Sequence, residues 1–459
     1  MSDRPAPAPA TPPYTALHRT LSLRDLVVYG LLFIAPMAPV GIFGVLDAKS
    51  HGAVAAVYLA ATVAMGFTAF SYAQMVRAVP LTGSVFAYAR AGLGERAGFV
   101  AGWMAMLDYL LIPAVAYLFS GIALHALVPQ VSRWSFTVLA VLVTTALNLA
   151  GVRTAAVVGF AVLALELAVL AVFLVAAVVV LARDGAVRPV LSPLTGVGAG
   201  GGGAGDLGAV LSAVSVAVLS YLGFDAIASF VEEAVGASRA VARAVLLCLL
   251  LAGALFMAQT YLAALLEPLT PEQLAEQPAA QGSAFYDTVE SGIGHWLHTL
   301  VAAGKAIGAA FAALAGQAAA GRLLYAMGRA GRLPRGLGRV DPDSGVPRRA
   351  VLVSAVVTLA AAVWAATRDD GLDKLTSVVD IGALTAFLLL HASVIGWYTV
   401  RNGSRDRVRH LLVPLLGIAV IVAVVYRASH TAQLVGACWL LLGLGVLLLQ
   451  RPTGVGEQR

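Results

Sequence analysis

Twelve long apolar stretches dominate the hydrophobic pattern of this chain, at 26–46, 53–76, 97–127, 134–150, 155–182, 208–231, 244–266, 299–321, 350–367, 375–400, 411–426 and 432–450. Most reach the roughly 20 residues that a helix needs to cross a bilayer. Hydrocarbon accepts helical spans because their backbone bonds close within the segment. The pattern therefore predicts an all-α integral membrane protein with 12 transmembrane helices. The first stretch is interrupted in its middle, where Pro36, Pro39 and Gly41 stand in the path of a continuous helix. Proline removes an amide donor and clashes with the preceding turn. Freed carbonyls at membrane depth are tolerated only where protein or a water-filled cavity takes over their bonding. A proline kink that merely shapes packing is the plain alternative, but two prolines and a glycine within six residues favour a true break. The segment Ala35, Pro36, Met37, Ala38, Pro39, Val40 and Gly41 is accordingly a candidate substrate-binding region.

The sixth stretch mirrors the first. Ser220 and Gly223 interrupt it, flanked by Tyr221, Phe224 and Asp225, and Glu232 and Glu233 follow at its end. A lone glycine in a membrane helix usually serves packing. Here the first and sixth spans hold corresponding places in two halves of five spans each, and paired interruptions of this kind point to a site between inverted repeats.

Charge fixes the expected orientation. With the N-terminus in the cytoplasm, the inner segments carry 22 of the 30 Lys and Arg, the outer ones seven, and Lys305 lies within a span. This asymmetry follows the positive-inside rule, so the net charge of +6 is a topology signal and nucleic acid is not an expected partner. A 60% hydrophobic fraction, 12% charged residues and a mean hydropathy of +0.87 exclude a soluble globular chain. The two cysteines, Cys248 and Cys438, both lie in apolar runs, so neither a disulfide framework nor a thiolate metal site is expected. His295 and His298 have ligand-like spacing but no third ligand in view, and we assign them to the membrane interface. No metal and no cofactor is expected.

The domain division follows: a disordered cytoplasmic tail at 1–22, a first repeat at 23–182, a Gly-rich outer linker at 183–207, a second repeat at 208–400, two further helices at 401–450 and a cytoplasmic tail at 451–459. The glycines at 200–203 lack the strand and helix context of a phosphate loop and suit a flexible linker. Ser22 followed by Asp25 resembles a capping box that starts the first helix.

Several segments resemble the amino acid–polyamine–organocation transporter family. Pro80-Leu81-Thr82-Gly83-Ser84-Val85-Phe86-Ala87-Tyr88 resembles the inner segment between its second and third spans, and Gly102-Trp103 with Leu107-Asp108-Tyr109 its third span. Asn148 to Arg153 resembles the start of the fifth, Tyr221 to Ala226 with Glu232-Glu233 the sixth, and Arg322 to Arg329 the end of the eighth. Each segment alone is weak; in order, over nearly the whole chain, they are specific. The resemblance implies the five-plus-five inverted-repeat fold of leucine transporters with two extra C-terminal helices, and alternating access around a midplane site. The likeness is nearest to bacterial putrescine importers. One departure is informative. Many amino acid permeases of the family carry a Gly-Ser/Thr-Gly run at the first break, whose amides receive the substrate carboxylate, and this chain has Pro36 to Gly41 there.

An ionisable group at the bilayer centre costs about 2.5–3.5 kcal/mol on insertion scales, so each one needs a reason. Asp108 lies 12 residues past Arg96, roughly 18 Å into its helix. Glu166 lies 13 residues past Arg153, roughly 20 Å in. Asp225 sits just past the second break, Asp380 in the outer part of the tenth span, and Lys305 in the outer half of the eighth. Asp108, Asp225 and their neighbours Tyr109 and Tyr221 are candidate substrate contacts, with the tyrosine faces able to hold an ammonium. A structural role, accepting amides freed by the break, is equally open for the two aspartates. By the resemblance, Glu166 falls where some family members place a fifth-span lysine thought to carry the coupling proton, and a carboxylate can do that work; a partner for Lys305 is the alternative. Asp380 and Lys305 are candidates for an outer gate or cation site. From Leu300 to Gly321 there is no Ser or Thr, which disfavours the sodium site of the related fold, because hard cations need oxygen ligands.

The expected function is import of a polyamine or other organic cation, with a proton as coupling ion and the lipid bilayer as setting. An amino acid permease of the same family is the alternative. The membrane is a bacterial-type inner membrane with both termini cytoplasmic. A channel lacks its polar stripe here, a sensor its soluble domain, and an enzyme its clustered nucleophile, acid and base. Oligomeric state leaves no mark in this pattern.

Overall fold

The structure is a computed structural model that describes residues 21–449 apart from 81–83, 151–152, 199–205, 232–233, 235–236, 330–332, 340 and 342–346. The tails at 1–20 and 451–459, the glycine run at 200–203, Thr82 and Gly83, and the acids Glu232 and Glu233 lie outside the described residues.

The chain is all-helical. In order it forms α1 (Leu23–Ile34), α2 (Phe43–Lys49), α3 (Val54–Ala78), α4 (Ser84–Leu93), α5 (Glu95–Leu127), α6 (Arg133–Ala150) and α7 (Arg153–Asp184). The short α8 (Ser192–Thr195), α9 (Leu207–Ala217), α10 (Ala237–Leu266), α11 (Pro271–Glu276) and α12 (Ala284–Gly292) follow. Then come α13 (His295–Arg329), α14 (Arg348–Ala366), α15 (Gly371–Val394), α16 (Val413–Arg427) and α17 (His430–Leu449). Among the described residues, ten helices are long and apolar enough to cross a membrane. Two shorter apolar helices, Arg133–Leu149 and Leu207–Tyr221, lie at the fourth and sixth predicted spans. The chain is therefore a multi-pass membrane protein.

Ser22 starts α1 through the expected box. Its hydroxyl accepts from the Asp25 amide at 3.3 Å, and the Asp25 carboxylate accepts from the Ser22 amide at 2.9 Å, which satisfies two donors that a helix start leaves open. Beside it, Leu21 and Ala234 form a parallel β-bridge. The long α5 is the central post, with α13 packed along it and α15 and α4 beside it. It is tied to α17 by a reciprocal clasp: the Trp103 indole donates to the Trp439 carbonyl and the Trp439 indole to the Trp103 carbonyl, both at 2.8 Å. The two rings stack at 4.8 Å over Gly443.

At the α2 end two buried carboxylates are matched by donors. Arg188 donates to both Asp47 oxygens, at 2.9 and 2.8 Å, and to the Leu269 carbonyl. Glu267 accepts from the Leu269 amide at 2.9 Å and from the Thr288 hydroxyl. Burial holds the Glu267 carboxyl above its ordinary pKa, against the opposing pull of those two hydrogen bonds.

Candidate functional site

Both breaks in the helices have local causes. α1 ends at Ile34, and Ala35 takes φ 59°, a conformation few residues with a Cβ adopt. Such an outlier stores about 1–3 kcal/mol and persists only where its surroundings impose it. Pro36 follows without an amide, and a 3₁₀ turn at Ala38–Gly41 leads into α2. Two freed carbonyls find side chains: Gln259 donates to Pro36 and Lys305 to Met37, each at 3.0 Å. Gly41 admits the Phe119 ring, which a methyl group there would strike.

The second break runs from the 3₁₀ turn Val218–Tyr221 through Gly223 to the 3₁₀ segment Phe224–Phe230. Gly223 is required twice. Its φ of 111° suits glycine, and an added Cβ would lie 2.9 Å from the Phe33 backbone. The two breaks thus touch. Asp225 accepts from the Gly223 amide at 3.3 Å and from the Tyr109 hydroxyl at 3.1 Å.

Between the breaks, α5 and α13 lies a cavity of about 110 Å³. Ala35 and Ala38 of the first break line it, as do Gly223 and Asp225 of the second, and Asp108 and Tyr109 of α5. The Asp108 Oδ1 has no hydrogen-bond partner among the described residues, in a side chain that is 7% exposed. The remaining wall follows two helical registers. On α5, Asp108, Ile112, Val115 and Phe119 share one face. On α13, Lys305 is followed by Ala309, Ala312, Gly316 and Ala319, a stripe of small residues at the same spacing. The two helices pair Gly316 with Ile112 and Pro113, and Ala306 with Ser120. Lys305 is 2% exposed, with its ammonium 4.9 Å from the Phe119 ring centre. It does not snorkel to the surface. Phe119 lies 11 residues beyond Asp108, so the acidic and basic ends of the cavity are about 16 Å apart along α5.

Other expected contacts point elsewhere. Ser220 bonds the Tyr58 hydroxyl at 2.9 Å, and Tyr221 bonds Thr62 at 2.7 Å and the Tyr58 carbonyl at 3.2 Å, so both face α3 and not the cavity. Phe224 packs edge-on to Tyr72 and beside Phe387. Pro36, Met37, Pro39, Val40 and Gly41 do not line the cavity, and the Pro36 and Met37 carbonyls are taken by Gln259 and Lys305. Glu166, on α7, is 1% exposed and pressed against Gly308, one turn from Lys305, with Oε1 unpartnered among the described residues. Asp380 is 2% exposed with neither oxygen bonded among the described residues, and it lies on α15 two residues before Gly382, which packs against Asp108 on α5. His298, in the first turn of α13, is buried against protein, with Glu290 at 3.2 Å and the Tyr286 carbonyl at 3.2 Å. Glu290 also bonds His295, at 3.0 Å. Among the described residues no cluster of His, Cys, Asp and Glu suits a metal ion. Phe119, Gln259 and the α13 stripe had not been anticipated, although the spacing of the stripe is visible from Lys305 onward.

A cavity with two carboxylates at one end and apolar walls can hold a cationic head group and desolvate what is attached to it. The sequence model of a family described as amino acid permease matches residues 26–444. The chain is similar to the low-affinity putrescine importer PlaP of Escherichia coli (strain K12), 29% identical over 453 residues, covering 93% of this chain and 92% of the relative. It is also similar to the branched-chain amino acid permease BcaP of Lactococcus lactis subsp. cremoris, at 26% over 460 residues and 94% of each chain. A methylthioribose transporter of Bacillus subtilis is 25% identical over 445 residues, covering 93% of this chain and 90% of the relative.

Proposed function

We propose a function from one premise: this chain belongs to the amino acid permease family. It is a secondary transporter that imports a small organic cation, of the chemistry that includes amines and polyamines, across a bacterial plasma membrane. The observation that carries this reading is the pair Asp108 and Asp225 on the cavity wall, one with an oxygen unpartnered, between two broken helices. The likeness to a putrescine importer supports it. The substrate ammonium sits at Asp108 and Asp225, with Tyr109 orienting Asp225 through its hydroxyl. The five-plus-five repeat, with both termini cytoplasmic by the charge asymmetry, rocks around the two breaks and exposes the cavity to each side in turn.

A proton is the coupling ion. Glu166 carries it, beside Lys305, whose ammonium already engages the Met37 carbonyl of the break. A tethered cation at that carbonyl, together with a span free of Ser and Thr, argues against sodium there.

Purified protein in proteoliposomes, given labelled putrescine, alkylamines and a mixture of amino acids with and without an inward proton gradient, tests this. Cation uptake that rises with the gradient in wild type, and loses its pH dependence in Glu166→Gln, is expected. Uptake of neutral amino acids alone would sink the cationic reading, and an unchanged pH profile in Glu166→Gln would sink the proton role. A second reading has one observation in its favour: Lys305 lines the same cavity, so an amino acid could place its carboxylate there, as the likeness to a branched-chain amino acid permease also suggests.

A further inference from the structure

The cavity is polarised along its length. Its acidic end is Asp108 and Asp225, and its far end is the ammonium of Lys305, held by the Met37 carbonyl at 3.0 Å and lying over Phe119. Between them the side chains are apolar: Ile112 and Val115 on α5, Ala309 and Ala312 on α13. Glu166 lies one turn along α13, with its carboxylate against Gly308, and does not line the wall, so the charge that this end presents to the cavity is the Lys305 ammonium. A substrate held by its ammonium at the acidic end therefore extends its other end along an apolar wall toward the Lys305 ammonium.

We propose that Lys305 sets the valence of the substrate: the cavity accepts a cation with one ammonium and an apolar tail and rejects an α,ω-diamine. The proposal rests on the cation reading above and narrows it to monoamines, against the polyamines that the reading includes and the likeness to a putrescine importer suggests. A second ammonium would meet two penalties. No side-chain oxygen pairs it along the apolar wall, where an unpaired ion is costly. Like charge repels it from Lys305, and in a poorly screened site that repulsion operates over several ångströms. An alkyl tail meets neither penalty and buries its surface against alanine and phenylalanine. The same separation bears on α-amino acids. Their ammonium and carboxylate share one carbon and cannot reach both ends of a cavity whose poles are about 16 Å apart along α5.

Matched pairs of amines read this out: butylamine against putrescine, and hexylamine against hexamethylenediamine. Ligand-induced thermal stabilisation of the purified full chain gives apparent affinities without requiring turnover, and inhibition of uptake in proteoliposomes gives them during it. Wild type is expected to prefer each monoamine at least about tenfold, the ratio that a penalty of about 1.4 kcal/mol produces. Lys305→Met, which keeps the length and removes the charge, is expected to bring the ratio to about one. Lys305→Gln serves if the methionine variant does not run as a monodisperse peak, and the wild-type ratio decides by itself if neither does. A diamine that binds wild type as well as its monoamine, or a ratio unchanged in Lys305→Met, overturns this proposal and leaves the cation reading standing. Binding of neutral amino acids with no amine binding overturns both.

Discussion

The two sets of buried charges in this molecule are treated in opposite ways. At the α2 end, Asp47 is met by both arms of Arg188, which also holds the Leu269 carbonyl, and Glu267 accepts two bonds from its own loop. In the middle of the bundle, Asp108, Glu166 and Asp380 are as deeply buried, yet each leaves at least one oxygen without a partner among the described residues. The chemistry of the side chains is the same. What differs is whether the chain supplies a hydrogen-bond partner for every oxygen. An unbonded buried carboxyl oxygen is costly, which singles out these three groups for testing, whereas the matched pair at the α2 end holds two parts of the chain together.

The largest test breaks the matched set. Arg188→Ala leaves Asp47 buried and alone, which is expected to cost about 3–5 kcal/mol and to lower the melting temperature in detergent. A wild-type melting curve would show that the pair holds nothing. Asp108→Asn tests the other side. It is expected to reduce substrate binding by roughly 30-fold or more while leaving the melting temperature unchanged or higher, since a neutral amide is cheaper to bury. A transporter that binds as well as wild type would return Asp108 to a structural role.

Gly223→Ala separates backbone geometry from charge. The positive φ and the Phe33 contact predict a loss of about 1–3 kcal/mol, read as a lower melting temperature with weakened binding, because the same turn aims the amide at Asp225. The smallest effect belongs to Glu267. Its folded pKa lies above the unfolded value, so its stabilising share is complete below about pH 4 and is lost as pH rises through the raised value. Glu267→Gln is expected to flatten that slope, so that its melting temperature gains on wild type as pH rises from 4 to 7. Parallel curves would place Glu267 among the indifferent charges.

The membrane helices and both interruptions are legible in the chain, because proline, glycine and apolar run length act locally. Pro36 and Pro39 coincide with the end of α1 and the turn before α2, and Gly223 with a positive φ. The facing of the second break is not legible in the same way. A 3₁₀ turn advances 120° per residue where an α-helix advances 100°, so Ser220 and Tyr221 come to face Tyr58 and not the cavity. The Asp47–Arg188 pair spans 141 residues, and no periodicity predicts a partner at that distance. Phe119 and the α13 stripe were within reach: both follow helical spacing from Asp108 and Lys305, the two charges that had already been singled out.

That stripe has a consequence for what the protein can distinguish. Alanine and glycine have no side-chain rotamers to freeze, so a tail entering beside Ala309, Ala312, Gly316 and Ala319 orders nothing and fits no notch. On that side of the cavity shape discriminates little, and what shape there is comes from Ile112, Val115 and Phe119 on α5. A bulkier side chain at Ala312 or Gly316 would take space from the cavity on a face that now leaves it bare.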